Sequence, residues 1–138
     1  MAIPTDPDAR LFYRAAEQRR EDAAVLSDAG RHAGAVYLGG YVVECLLKAL
    51  IVSTVRAADR PQVVASFRGA HAHSYDWLLA RYRQAGGPML SVPITLAVRT
   101  VDQWTVSLRY DPSSVPADDA AAFAQAVDDV RAWANGRL

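Results

Sequence analysis

The stretch from Val36 to Val52 is apolar apart from a few small and tyrosine residues and two charges, Glu44 and Lys48, and it limits the folds open to this chain more than any other segment. Read as a helix, it puts Val36, Gly40, Glu44, Leu47 and Ile51 on one stripe and Leu38, Val42, Cys45, Leu46 and Ala49 on the opposite side. A helix apolar all round has to be surrounded by the rest of the fold. An ionised carboxylate in such a place costs several kcal/mol unless a cation and hydrogen bonds receive it. The chain must therefore bring a partner to Glu44. Lys48, one turn on, is the nearest; Arg109 is the expected distant one and His73 the third choice.

Hydrophobic periodicity divides the rest of the 138 residues into helices. Asp6-Pro7 supplies an N-cap and a proline for the first turn, and Leu11, Phe12, Ala15, Ala16, Ala23 and Leu26 then recur at helical spacing up to about Ala29, where Gly30 stops the helix. A second helix from about Arg31 to Val55 follows at once, so the two form an antiparallel hairpin. Gly34, Gly39 and Gly40 each cost about 1 kcal/mol in a helix interior, which predicts close approach by a neighbouring element. Periodicity fades between Arg56 and His73, where Pro61 interrupts it and Phe67-Arg68-Gly69-Ala70 reads as a loop or short turn. Ser74 caps a helix from Tyr75 to Gln84 with Trp77, Leu78, Arg81 and Tyr82 on one side, ended by Gly86-Gly87-Pro88.

A shorter helix from about Val92 to Ser107 carries Leu96, Thr100, Val101, Trp104 and Leu108. The last begins at Pro116-Ala117-Asp118-Asp119, with acids placed favourably for its dipole, and buries Phe123, Val127, Val130 and Ala134. The expected fold is all-α: an up-and-down antiparallel bundle of four main helices plus one shorter helix, forming a single domain over residues 1–138.

Composition narrows the function classes. The 17-residue apolar run is shorter than the roughly 20 residues of a membrane span and holds two charges, so a core helix is expected and no membrane association. No basic patch followed by an apolar stretch marks a secretory signal near Met1, and the single cysteine, Cys45, permits no disulfide framework; a cytoplasmic setting is expected. Net charge is zero, but residues 55–109 hold seven arginines against Asp59, Asp76 and Asp102, a balance of +4. A local basic surface of that kind can meet phosphate, without the long-range attraction of a basic protein.

Several chemistries lack their residues. His71 and His73 are two apart, which suits no helical metal pair, and no Cys or His cluster completes one; neither a metal nor another cofactor is expected. Ser27, Ser53 and Ser107 have no histidine at motif spacing, and no glycine-rich phosphate loop occurs. What remains is the Glu44–Lys48 pair, the histidines, Arg68, and the turn Arg109-Tyr110-Asp111-Pro112, from which an arginine can reach back to the second helix. Each has a bland alternative: a buried ion pair that only locks the bundle, a histidine capping the helix after Ser74, and a turn built on Asp-Pro.

Taken in order, Tyr13-Arg14-Ala15-Ala16-Glu17, Gly30 to Leu38, and Tyr41-Val42-Val43-Glu44-Cys45-Leu46-Leu47-Lys48 resemble the HEPN family (higher eukaryotes and prokaryotes nucleotide-binding domain). His73 followed by Trp77-Leu78-Leu79, and Leu108-Arg109-Tyr110-Asp111-Pro112 before the last helix, extend the resemblance over roughly residues 8–135. It implies a helical bundle, often a homodimer, frequently encoded beside a small nucleotidyltransferase in toxin–antitoxin pairs. Active members are metal-independent ribonucleases using an arginine and a histidine separated by four to six residues. Here Arg109 is followed by Tyr110, Asp111, Pro112, Ser113, Ser114, Val115 and Pro116, with no histidine; Arg68 and His73 have the spacing but precede the third helix. Metal-free RNA cleavage needs a proton carrier near neutral pH and a cation for the phosphorane, and a phenol such as Tyr110, titrating near 10, is a poor substitute for imidazole.

The leading expectation is a dimeric binding module that uses Glu44, Lys48, Tyr110 and Asp111, with Arg68 and His71, to engage a nucleotide, RNA or a nucleotidyltransferase partner. A ribonuclease with Arg109 and His73 as catalytic residues is the alternative, and a purely structural interaction subunit is the third.

Overall fold

A computed structural model describes residues 3–108 and 115–138, and the side chains over 105–108 are left aside. The chain is all-α: α1 (Pro7–Asp28), α2 (His32–Thr54), α3 (Arg60–Ser66), α4 (Tyr75–Gln84), α5 (Val92–Leu108) and α6 (Ala117–Asn135), with 3-10 turns at Ala57–Asp59 and Ala70–His73. No strand occurs among the described residues.

Local chemistry sets the helix ends. The Asp6 carboxylate accepts from the amides of Asp8 and Ala9 and caps α1. At its other end Gly30 takes φ 75°, which lets Arg31 N–H reach Leu26 O at 2.8 Å and Gly30 N–H reach Ser27 O at 3.0 Å, closing the helix in a Schellman motif. Only three residues then separate α1 from α2. Leu26 lies against Gly34 near this turn and Phe12 faces Lys48 at the far end, so the two helices are antiparallel. The pairs Arg20–Asp128 and Glu17–Arg131 run α6 antiparallel to α1.

α2 is the axis of the molecule. Val42, Val43, Leu46, Leu47, Ala49, Leu50 and Val52 are fully covered, chiefly by α1, α4, α5 and α6. Close approach is real at Gly39, where an added Cβ would come 2.6 Å from the Phe123 ring. The helix is 23 residues, close to the expected Arg31 to Val55, and by length and composition it is apolar enough to cross a membrane; its burial inside the bundle, rather than its length, is what marks it as a core helix here.

Three expectations need correction. The segment after Arg56 is not only loop: α3 occupies Arg60–Ser66, because Pro61 falls in the first turn, where a missing N–H costs nothing and the fixed φ suits a helix. On α1 the expected stripe is met at Ala16, and Phe12 packs against the core, but Leu11 is exposed and the unexpected Ala9 and Tyr13 are buried. On α5 Val101 is buried and Trp104 packs against the core as expected, but Ala97 and Val98 also turn inward and Leu96 is left outside. The stripe on α6 is as expected, with Phe123, Val127, Val130 and Ala134 all buried.

Candidate functional site

Glu44 sits midway along α2, and Lys48 one turn later; both residues are 7% exposed. Lys48 Nζ donates to Glu44 Oε2 at 3.3 Å. The other carboxylate oxygen, Oε1, lies 2.9 Å from Nδ1 of His73. Both oxygens of the buried acid thus have a partner, which meets the desolvation cost that its position imposes. The hydrocarbon and ammonium of Lys48 are walled by the rings of Phe12 and Phe67, with Nζ 6.0 Å and 5.6 Å from their centroids.

His73 arrives through the 3-10 turn Ala70–His73. Gly69, at φ 78°, starts the turn, and Ala72 plugs it into the core. Ser74 caps α4 by accepting from Trp77 N–H. Tyr75 then donates its hydroxyl to Gly40 O at 2.7 Å, pinning the start of α4 to α2 one turn before Glu44. The backbone on either side of His73 is therefore fixed relative to the carboxylate. A carboxylate beside an ammonium can only accept, so Nδ1 carries the proton. Nε2 is left as the acceptor, on a side chain 58% exposed. Among the described residues it has no hydrogen-bond partner. A buried acid orienting an accessible imidazole is an arrangement suited to proton transfer.

His71 lies on the same turn. Its Nε2 donates to Ser66 O at 3.2 Å, and its ring lies 4.6 Å from that of Trp77. Arg81 sets its guanidinium 4.9 Å from the Trp77 ring, and Phe67 meets Trp77 edge-on. Arg68 is exposed just before Gly69. Trp77 thus gathers His71, Arg81 and Phe67 around one ring.

Of the residues anticipated from sequence, Glu44, Lys48 and His73 converge, with His71 and Arg68 on the adjoining turn. Arg109, Tyr110 and Asp111 lie outside the described residues. Among the described residues the partners of Glu44 are Lys48 and His73. Phe12, Phe67, Trp77 and Tyr75 were not anticipated as parts of the site; their aromatic character was visible, but the turn that gathers them was not. No group of three His, Cys, Asp or Glu side chains gathers as for a metal among the described residues.

Cys45, beside Glu44, has its thiol pushed up to about 11, mainly by burial and then by the negative charge of Glu44. It is a poor nucleophile at neutral pH. A separate concavity of about 260 Å³ lies between α1, α2 and α6, lined by Ala23, Ala35, Gly39, Phe123 and Val127 with the Arg20–Asp128 pair at its edge; it contains none of the side chains of the Glu44 network.

Comparison with protein-family models, with curated proteins and with solved structures gives no match for this chain.

Proposed function

We propose that this chain is a HEPN-like helical module that binds a phosphate-bearing ligand, a nucleotide or RNA, on the surface of the Ala70–His73 turn. The observation that carries the reading is the Glu44–His73 contact of 2.9 Å, which orients an accessible imidazole on the 3-10 turn that also carries His71 and follows the exposed Arg68. Phosphate is an acceptor of several hydrogen bonds; the exposed guanidinium of Arg68 offers donors, and the Nε2 of His73 becomes one when the ring carries a second proton, a form that the Glu44 carboxylate favours. Rings beside cations suit bases beside phosphates. The motif order around Tyr41 to Lys48 and the Arg109-Tyr110-Asp111-Pro112 turn supports an up-and-down HEPN-like arrangement acting as a homodimer, with a small nucleotidyltransferase as its partner in a toxin–antitoxin pair, in the cytoplasm.

The test is affinity for inorganic pyrophosphate and for a short single-stranded RNA, in wild type and in His73→Ala. Binding of both probes that falls at least tenfold in the variant supports the reading. Unchanged binding in a folded variant rejects this surface as the site.

A second reading, a metal-independent ribonuclease, has the same contact in its favour. His73 would take the proton of a ribose 2′-hydroxyl through Nε2, Glu44 would stabilise the imidazolium, and an arginine, Arg68 or Arg109, would stabilise the phosphorane. RNA cleavage in the presence of a chelator, abolished by His73→Ala and reduced by Arg68→Ala or Arg109→Ala, would favour it. Cleavage that survives all three substitutions would sink it.

A further inference from the structure

We infer that the cleft between α1, α2 and α6 is a binding site for a small amphiphilic amine, an apolar body, aromatic or aliphatic, that carries one positive charge. The inference is independent of the phosphate-binding reading, because the cleft shares no side chain with the Glu44 network.

The cleft exists because the three helices face one another there with small side chains. Ala24 on α1, Ala35 on α2, and Ala120 and Ala124 on α6 line it, and none is long enough to close the gap. Its floor is apolar: Val36, Val42, Phe123 and Val127 are at most 5% exposed. Gly39 completes the floor, since a side chain at that position would meet the Phe123 ring. At about 260 Å³ the space falls just below the roughly 300–1,000 Å³ of pockets for drug-sized molecules, so its occupant is small. Covering the apolar lining with an apolar body removes it from water, which favours binding.

Charge decides the rest of the ligand. The ionised groups that line the cleft are one guanidinium, Arg20, against two carboxylates, Asp28 and Asp128. Arg20 and Asp128 answer each other at 3.2 Å, from α1 to α6. Asp28 is left over, with no hydrogen bond or ion pair among the described residues. It is also the last residue of α1, in a turn that holds no basic side chain, so its charge adds to the negative end of the helix dipole. A carboxylate in that place is unfavourable until a cation joins it. Eight residues, about 12 Å along the axis, separate Asp28 from Arg20. An amine at Asp28 therefore extends its apolar body over the floor towards the Arg20–Asp128 pair. An anion would meet Asp28 and the helix end with the wrong sign, and the guanidinium is already engaged.

The experiment is an NMR titration of the full chain with 2-phenylethylamine, 2-phenylethanol and phenylacetate, probes that share the ring and differ in charge. The amine is expected to shift the amide signals of Ala35, Gly39 and Ala124 saturably. Asp28 is exposed, so its pairing is screened, and together with the helix dipole it should make the amine bind about three- to tenfold more tightly than the alcohol. Phenylacetate should be the weakest. Asp28→Asn should bring the amine down to the affinity of the alcohol without changing the latter. Ala124→Leu, at the exposed lip of α6, should fill the cleft and weaken both.

Absence of a saturable shift in these signals with every probe overturns the site. So does equal affinity of wild type for the amine and the alcohol, or a preference that survives in a folded Asp28→Asn. Light scattering on the same variants addresses the other occupant of such a cleft, a second copy of the chain: a dimer that Ala124→Leu converts to monomer, and that the amine leaves intact, assigns the cleft to an interface and rejects the ligand site.

Discussion

Nδ1 of His73 lies 2.9 Å from Oε1 of Glu44, joining residues 29 positions apart, while Lys48 holds the other oxygen of the same carboxylate at 3.3 Å. One acid thus connects a buried cation to an exposed imidazole. The two connections have different energetic weight, and substitutions can separate them.

Removing the acid should be costly. Glu44→Ala leaves the Lys48 ammonium buried without its counter-charge, which is expected to destabilise by about 3–5 kcal/mol. Replacing both members with apolar residues, Glu44→Leu with Lys48→Met, should recover most of that loss, because well-packed apolar substitutes for buried ion pairs are often neutral. Urea denaturation of the single and double variants measures the difference. A double variant no more stable than Glu44→Ala would show that the cost arises elsewhere than in an orphaned charge.

Removing the imidazole should cost little stability. His73 is more than half exposed, so the loss of its hydrogen bond in His73→Ala is expected to lower stability by less than about 1 kcal/mol. Affinity for phosphate probes should nevertheless fall at least tenfold. This combination separates a functional residue from a structural one: a His73→Ala variant with normal binding and markedly lower stability would make the contact a fastener of the 3-10 turn.

The frame of this architecture was readable because its signals are local. Asp6 and Ser74 cap helices, Gly30 and Gly86 end them at positive φ, and Phe123 to Ala134 repeat at helical spacing. Glu44 was readable as an anomaly because it interrupts an apolar run, and Lys48 because it is one turn away. His73 ranked only third among its partners, since nothing in the sequence states that Tyr75 will hydrogen-bond Gly40 and swing the turn over α2. The burial of Ala9 and Tyr13 in place of Leu11 was hidden for a similar reason. Leu11 has the right spacing for the core, but α1 packs beside α6, where Glu17 and Arg20 find partners 114 and 108 positions away.

Gly39 tests the close approach of α6. A methyl group at this position would lie 2.6 Å from Phe123 Cε1, so the ring would have to shift. The helical preference of alanine over glycine, about 1 kcal/mol, opposes the clash but does not offset typical overpacking costs of about 1–3 kcal/mol. Gly39→Ala should therefore lower thermal stability, and Phe123→Leu in the same chain should relieve part of the loss. A Gly39→Ala variant more stable than wild type would mean that the ring moves aside freely.

Glu17 and Arg131 meet in a two-bond fork, at 2.7 Å and 2.8 Å, that joins α1 to α6. The hydrogen bonds from Arg131 hold the Glu17 carboxyl below its usual range against the opposing effect of burial. A lowered folded-state value means that the contribution is fully present above the ordinary carboxylate pKa of 4.5 and is lost as pH falls through the depressed value. Glu17→Gln should cost about 1 kcal/mol at pH 7 and progressively less in acid. Stability curves of the two proteins that stay parallel down to pH 3 would contradict this origin.

Cys45 offers a readout of the Glu44 charge from inside the site. Burial is the main reason that its thiol is raised to about 11, the Glu44 carboxylate adds to the rise, and Lys48 and Arg19 oppose it. At pH 8 only about one molecule in a thousand is thiolate, against about one in four for a thiol with an ordinary value near 8.5. Alkylation of Cys45 by iodoacetamide should accordingly be slow at pH 8 and rise close to tenfold per pH unit until about pH 11. Stability should decline over the same interval, because the unfolded chain loses this proton at lower pH than the folded one and is favoured as pH rises from about 8.5 towards 11. Glu44→Gln removes a charge that disfavours the thiolate, so it should lower the pKa and speed alkylation at pH 8 several-fold. Alkylation that levels off near pH 9 in wild type, or that slows in Glu44→Gln, would show that the carboxylate does not act on the thiol as this arrangement requires.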